Sequence, residues 1–410
     1  MKERLSCLFA LTLCAACSAN SAPGGSTGTP NGGSSGSAGS ATNAGSGGNA
    51  TNNGGTSSGT SGSSNAGATS GGNAGNSSAG SGGTSGSAGA GGSGGGSTAM
   101  GFKCSASPGM FVLPSAKAEH IAGTTPIDSF NMNAGFTNVE GPVWIGDSLY
   151  FSEMTSATPI PPARILKLGP GNVVSIAVAD SGTNGMAVDA SGNLWAAVHK
   201  DGSISEVTLP SGPVMPVVTG YSASAGGTPS RFISPNDLAI RSDGTIYFSD
   251  PNYQNSTSPP PQSATRAYRV SPPPTRTVTP IGDAPMMPNG VTLSPDEKTL
   301  YIDGSGGFKK FAVMTDGSLG PASDFASVFN GDGMTVDCAG NVYVAGGSPS
   351  IAVYSAAGMM LGTIMLDNGG TTTNVAFGGA DHKTIYITAQ GNDGQRGVFS
   401  IPSSIEGFPY

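Results

Sequence analysis

Six polar side chains recur at one place in a repeated pattern: Glu140, Asn184, Asn236, Asn289, Asp332 and Asn374. Two are carboxylates and four are amides, with no sulfur and no histidine among them. An all-oxygen set of this kind suits a hard divalent cation, calcium first and magnesium second, with zinc and manganese as the remaining candidates. Crowded acids repel and desolvate one another, and a bound cation relieves both costs. Asn184 and Asn374 read equally well as turn residues between repeats. Glu140, in a Glu-Gly-Pro step, and Asp332, just ahead of a clear strand, make poor generic turns and carry the functional reading better.

The elements that position these residues repeat with them. Pro288-Asn289-Gly290-Val291-Thr292-Leu293 is followed by a Ser-Pro-Asp-Glu turn and by Thr299-Leu300-Tyr301-Ile302. Val291 and Leu293 share one face by the period of two, as do Leu300 and Ile302. The lead residues recur every 42–53 residues, the length of a propeller blade built from strands. The expected fold is therefore all-β, a six-bladed β-propeller over residues 100–410 with four antiparallel strands per blade. The last blade lacks an outer strand, which residues 117–130 can supply. Each lead residue opens an innermost strand, so all six converge on one mouth of the central channel, overhung by loops at 152–163, 199–202, 250–266 and 304–307.

Val139-Glu140-Gly141-Pro142-Val143-Trp144, Ser234-Pro235-Asn236-Asp237-Leu238, Phe248-Ser249-Asp250-Pro251, Pro288-Asn289-Gly290-Val291 and Asp332-Gly333-Met334-Thr335-Val336-Asp337 resemble the gluconolactonase/regucalcin (SMP-30-like) family of six-bladed propellers. The resemblance covers roughly residues 130–402. It implies a divalent metal on the axis held by Glu140, Asn289 and Asp332, with Asn236 beside metal and substrate, and hydrolysis of sugar lactones and related esters. Asp332 is then the candidate general base, while Asn236, Arg231, Asn184 and His199 are candidate substrate contacts. The chain departs from the family's habit at Ile233 and at Ala197-Val198-His199-Lys200, positions that touch substrate rather than metal. A non-catalytic propeller that binds a sugar or a surface partner, with the metal serving structure, is the competing reading.

Several stretches read as scaffold. The loop from Asn252 to Thr265, with three consecutive prolines, reads as a solvated excursion, a cap over the mouth being the alternative. His199 reads as a solvated rim residue, His120 and His382 as surface residues, and Trp144 and Trp195 as core.

The remaining features concern location and partners. Residues 1–17 read as a secretion signal whose end, Leu13-Cys14-Ala15-Ala16-Cys17, resembles a lipobox and would put a lipid on Cys17. Residues 18–99 are almost wholly Gly, Ser, Ala, Asn and Thr. Such a segment is expected to be a disordered tether with a reach on the order of 50 Å. An exported protein follows, periplasmic or at the cell surface, anchored to the outer membrane. The net charge is −8 with no basic run, which argues against nucleic acid; the membrane enters only through Cys17. Cys104 and Cys338, the two cysteines of the propeller part, both fall on the face opposite the mouth, so a disulfide between them is topologically allowed.

Overall fold

The computed structural model describes residues 104–408, apart from 106, 126, 129, 131–134, 328–330 and 393. The signal, Cys17 and the linker at 18–99 therefore lie outside the described residues.

The strands form where the period-two pattern puts them. Val291 pairs with Ile302 and Leu293 with Leu300, and all four are buried in one apolar cluster. The described strands make six four-stranded antiparallel sheets. Five are simple meanders, at 138–178, 183–218, 238–280, 287–326 and 334–365. The sixth takes three strands from 371–402 and its outermost strand, Glu119–Ala122, from the start of the propeller. The innermost strands neighbour one another in chain order, and the sixth meets the first. The described strands thus form a closed six-bladed β-propeller, as the repeat implies. Ring closure removes the open sheet edges that an isolated blade would expose.

Apolar packing lies between the blades. One cluster joins Ala239, Tyr247 and Ala267 of the third blade to Val291, Leu293, Leu300, Ile302 and Phe311 of the fourth. Trp195 is buried in another such layer, and Trp144 stacks on Tyr386 at 5.4 Å. Two histidines expected at the surface are partly covered. His120 stacks on Phe399 at 4.5 Å, because the closing strand lays it against the last blade. His382 is half-buried, and burial lowers its pKa.

On the face opposite the mouth, Cys104 and Cys338 form a disulfide. Nearby, the Ser105 N–H donates to Glu406 and the Cys338 N–H to the Glu406 carbonyl. Both ends of the described chain are thus held against the fifth blade, away from the mouth.

Candidate active site

The innermost strands break their pairing at the lead residues. Register shifts fall between Glu140 and Val143, Thr183 and Met186, Pro288 and Val291, and Thr372 and Asn374. In the third and fifth blades the innermost strand instead begins two residues after the lead, at Leu238 and Met334. A bulge or an early strand end frees the lead side chain from the pleat and re-aims it. Glycine makes the crowding tolerable. Gly141 is left-handed at φ +54, and a Cβ there would collide with the Asn184 carbonyl of the next blade. A Cβ on Gly333 would run into the Asn374 side chain. The rings of main chain therefore approach one another closely enough for the polar tips to meet.

Glu140, Asn289 and Asp332 are brought together. The Asn289 amide donates to the Gly331 carbonyl at 3.3 Å, and the Asn289 and Asn374 side chains counter the rise of Asp332 and Glu140 respectively. Two further acids join them that the lead-residue pattern does not single out. Asp237 accepts the N–H of Leu238 and, across the blade boundary, that of Val291 at 2.9 Å. Asp303, fully buried, accepts the Gly290 N–H at 2.9 Å. The available signals were weak: Asp237 directly follows a lead residue, and Asp303 is a charge ending an otherwise apolar strand, Thr299–Ser305.

Four buried carboxylates thus share the channel, and their protonation shows the strain. Burial, followed by the charges of Asp332 and Asp237, pushes Glu140 well above the carboxylate range. Burial lifts Asp332 to about 7 against the Asn289 hydrogen bond, with the Asp237 charge adding to the rise. Burial also lifts Asp237 to about 7, and burial plus the Asp332 charge raises Asp303 well above its usual value. Among the described residues no lysine or arginine pairs with any of the four. Unpartnered amide atoms complete the set: Asn289 Oδ1 and both polar side-chain atoms of Asn184 are buried without hydrogen-bond partners. Uncompensated acids beside orphaned amide oxygens fit a hard divalent cation.

The other expected site residues lie at the wall. Asn236 is buried at the head of the third blade, its carbonyl accepting the Gly185 N–H at 2.6 Å. Arg231 commits its guanidinium to main-chain carbonyls, Nε to Phe232 at 3.3 Å and Nη2 to His199 at 3.2 Å. His199 is not a solvated rim residue: it is fully buried, and Nε2 donates to the Pro161 carbonyl at 2.8 Å. Burial drives its pKa down to about 4, so the ring is neutral with Nδ1 unprotonated and unpartnered.

The segment that bonds His199 is itself tied to a loop far away in sequence. Ser256 of the third blade donates through N–H and Oγ to the Pro159 carbonyl of the first, at 3.0 and 3.2 Å. The first half of the 252–265 loop is therefore a roof pinned at Gln254, Asn255 and Ser256, with Asn252, Tyr253 and residues 256–260 exposed to solvent on it. Gln254 is bound to Ser234, and the Asn255 amide donates to the Ile233 carbonyl at 2.8 Å.

With this geometry in place, comparison with known proteins is informative. The SMP-30/gluconolactonase/LRE-like region matches residues 138–391. A gluconolactonase of Zymomonas mobilis is 29% identical over 304 residues, covering 66% of this chain and 80% of the relative. A solved gluconolactonase of Xanthomonas campestris superposes with a TM-score of 0.55 at 29% identity, covering 65% of this chain and 86% of that one. The calcium-binding regucalcin of Agrobacterium tumefaciens shares the fold, with a TM-score of 0.55 at 16% identity over 72% of this chain and 96% of its own. The match over residues 138–391 spans more than half of the chain, and this chain belongs to the SMP-30/gluconolactonase/LRE-like family.

Proposed function

We propose that this protein hydrolyses a sugar lactone or a related small ester, using a divalent cation held by Glu140, Asn289 and Asp332, with calcium the first candidate. The observation that carries this reading is the cluster of four buried carboxylates without a cationic partner, at the mouth of a propeller whose relatives include gluconolactonases. When bound, the cation supplies Lewis-acid polarisation of the lactone carbonyl. The chain's own residues do the rest. Asp332 would take the proton from the attacking water. Asn184, with its unpartnered amide, and Asn236 orient the substrate's hydroxyls. Arg231 and His199 hold the wall that these groups line.

The reading extends to location. A lipid on Cys17 and the flexible segment 18–99 would keep the propeller outside the cytoplasm, on a tether at the outer membrane. Replacement of Cys17 by serine is then expected to release the protein into the soluble fraction, and retention with the membrane would rule the anchor out.

Hydrolysis of a panel of sugar lactones tests the activity directly. Chelator-stripped protein, reloaded in turn with calcium, magnesium, zinc or manganese, is assayed beside Asp332→Ala. Turnover by the wild type that the variant lacks supports a lactonase. No turnover above background with any metal would leave a non-catalytic binding propeller as the better description.

A further inference from the structure

The roof carries a half-exposed tyrosine close to the mouth. Tyr253 projects from the segment fixed by Gln254, Asn255 and Ser256, and is 46% exposed. Its hydroxyl donates to the Met287 carbonyl at 3.4 Å, two residues before Asn289 on the fourth blade. The same tyrosine lines a cavity of about 200 Å³ with Asn138 and Met154 of the first blade. The first and fourth blades stand opposite each other in the ring. The Tyr253 side chain from the third blade thus touches the segments that lead into Asn289 and Glu140, two residues ahead of each. Burial, followed by the charges of Asp332 and Asp303, raises its phenol to about 12, so the hydroxyl stays protonated.

The cavity beside Tyr253 has the marks of a ligand site. It falls below the roughly 300–1,000 Å³ typical for drug-sized ligands. Asn138, in its wall, has a buried Oδ1 without a hydrogen-bond partner. The wall opposite is pinned, since the Ser256–Pro159 contacts tie the two loops that bound it. A phenol already donating to a carbonyl still offers lone pairs to a hydroxyl donor, and its ring face suits the C–H face of a saturated ring.

We propose that Tyr253 is the specificity-determining residue of this mouth, packing on a single polyhydroxylated ring and accepting from one of its hydroxyls, and that the Ser256–Pro159 roof excludes substrates with a second ring. The proposal rests on the lactonase reading for its substrate, but not for its binding test.

The experiment has two arms. In the first, calcium-loaded protein is titrated calorimetrically with 1,5-anhydroglucitol, a cyclic polyol with no carbonyl to hydrolyse. Tyr253→Ala is expected to weaken binding about tenfold and Tyr253→Phe about two- to tenfold, the range for one hydrogen bond. Melting temperatures of both variants should match the wild type, because the side chain is half exposed. In the second, hydrolysis of glucono-1,5-lactone is compared with that of the disaccharide cellobionolactone. The wild type should favour the single ring by about 100-fold or more, two to three kcal/mol of steric exclusion, and Tyr253→Ala should raise KM for the single ring while narrowing that preference. Polyol binding unchanged in both variants, or equal turnover of the two lactones by the wild type, would overturn the proposal. Polyol binding that depends on Tyr253, without turnover of any lactone, would remove the lactonase reading and leave the ligand site standing.

Discussion

The two ends of the same hairpin in the fifth blade use aspartate in opposite ways. Asp337, on the face away from the mouth, accepts from the N–H groups of Ala339 and Asn341, the Asn341 amide and the Tyr343 hydroxyl. Asp189 in the second blade repeats the arrangement with Ser191, Asn193 and Trp195. Burial raises Asp337 in spite of these bonds, while in Asp189 the same set of hydrogen bonds outweighs burial and holds it below the usual carboxylate value. Asp332, five residues before Asp337, has the Asn289 side chain and the Gly333 N–H against burial and the Asp237 charge, and sits near 7. Both faces bury acids. On one face donors outnumber the need, so the acid staples a turn. On the other, acid faces acid and amide oxygens go unpartnered, which is the condition that a cation or a proton relieves.

The sharpest way to break this contrast is to neutralise one acid on each face. Asp332→Ala should lower kcat/KM for a sugar lactone by about 10³-fold or more, the loss expected when a proton-transferring group goes, with the fold intact by circular dichroism. Asp189→Asn should leave turnover within about twofold while lowering stability by about 1–3 kcal/mol, since its donors lose a charged acceptor. Equal effects of the two variants on activity would erase the distinction.

Removal of the cation comes next in size. Chelation should abolish turnover and lower stability in proportion to occupancy, by about 2.7 kcal/mol when the free ion had been at 100 times its dissociation constant. Opening the disulfide on the far face, by Cys104→Ala with Cys338→Ala, should lower stability by about 2–4 kcal/mol and leave KM unchanged.

The last test concerns pH. Asp332 and Asp237 are raised from 3.8 to about 7 in the folded protein, so the metal-free fold binds their protons more tightly than the unfolded chain does. Its stability should therefore fall as pH rises from about 4 through about 7. A cation competes for the same oxygens, so its stabilising effect should grow over that window. Thermal melts at pH 5 and pH 8, with and without calcium, measure both trends; a metal-free protein more stable at pH 8 would contradict them.

Much of this was legible in the sequence because the repeat sets both fold and mouth. A polar lead, a glycine and two alternating strands fix blade number, ring closure and the face on which Glu140, Asn289 and Asp332 meet. What escaped depends on contacts between distant segments. Asp303 ends a strand where alternation cannot separate a solvated tip from a buried one. His199 is bonded by Pro161, in a segment that Ser256 in turn ties down through Pro159. Tyr253 lies in a proline-rich loop with no periodicity, so nothing local marks it as fixed.

The most direct test is titration of chelator-stripped protein with calcium, followed calorimetrically, for the wild type, Asp332→Asn and Asp189→Asn. One site per chain is expected, lost in Asp332→Asn and kept in Asp189→Asn. Calcium binding that survives Asp332→Asn unchanged, or that is absent from the wild type for calcium and for every other divalent cation tried, would contradict a shared cation at the mouth.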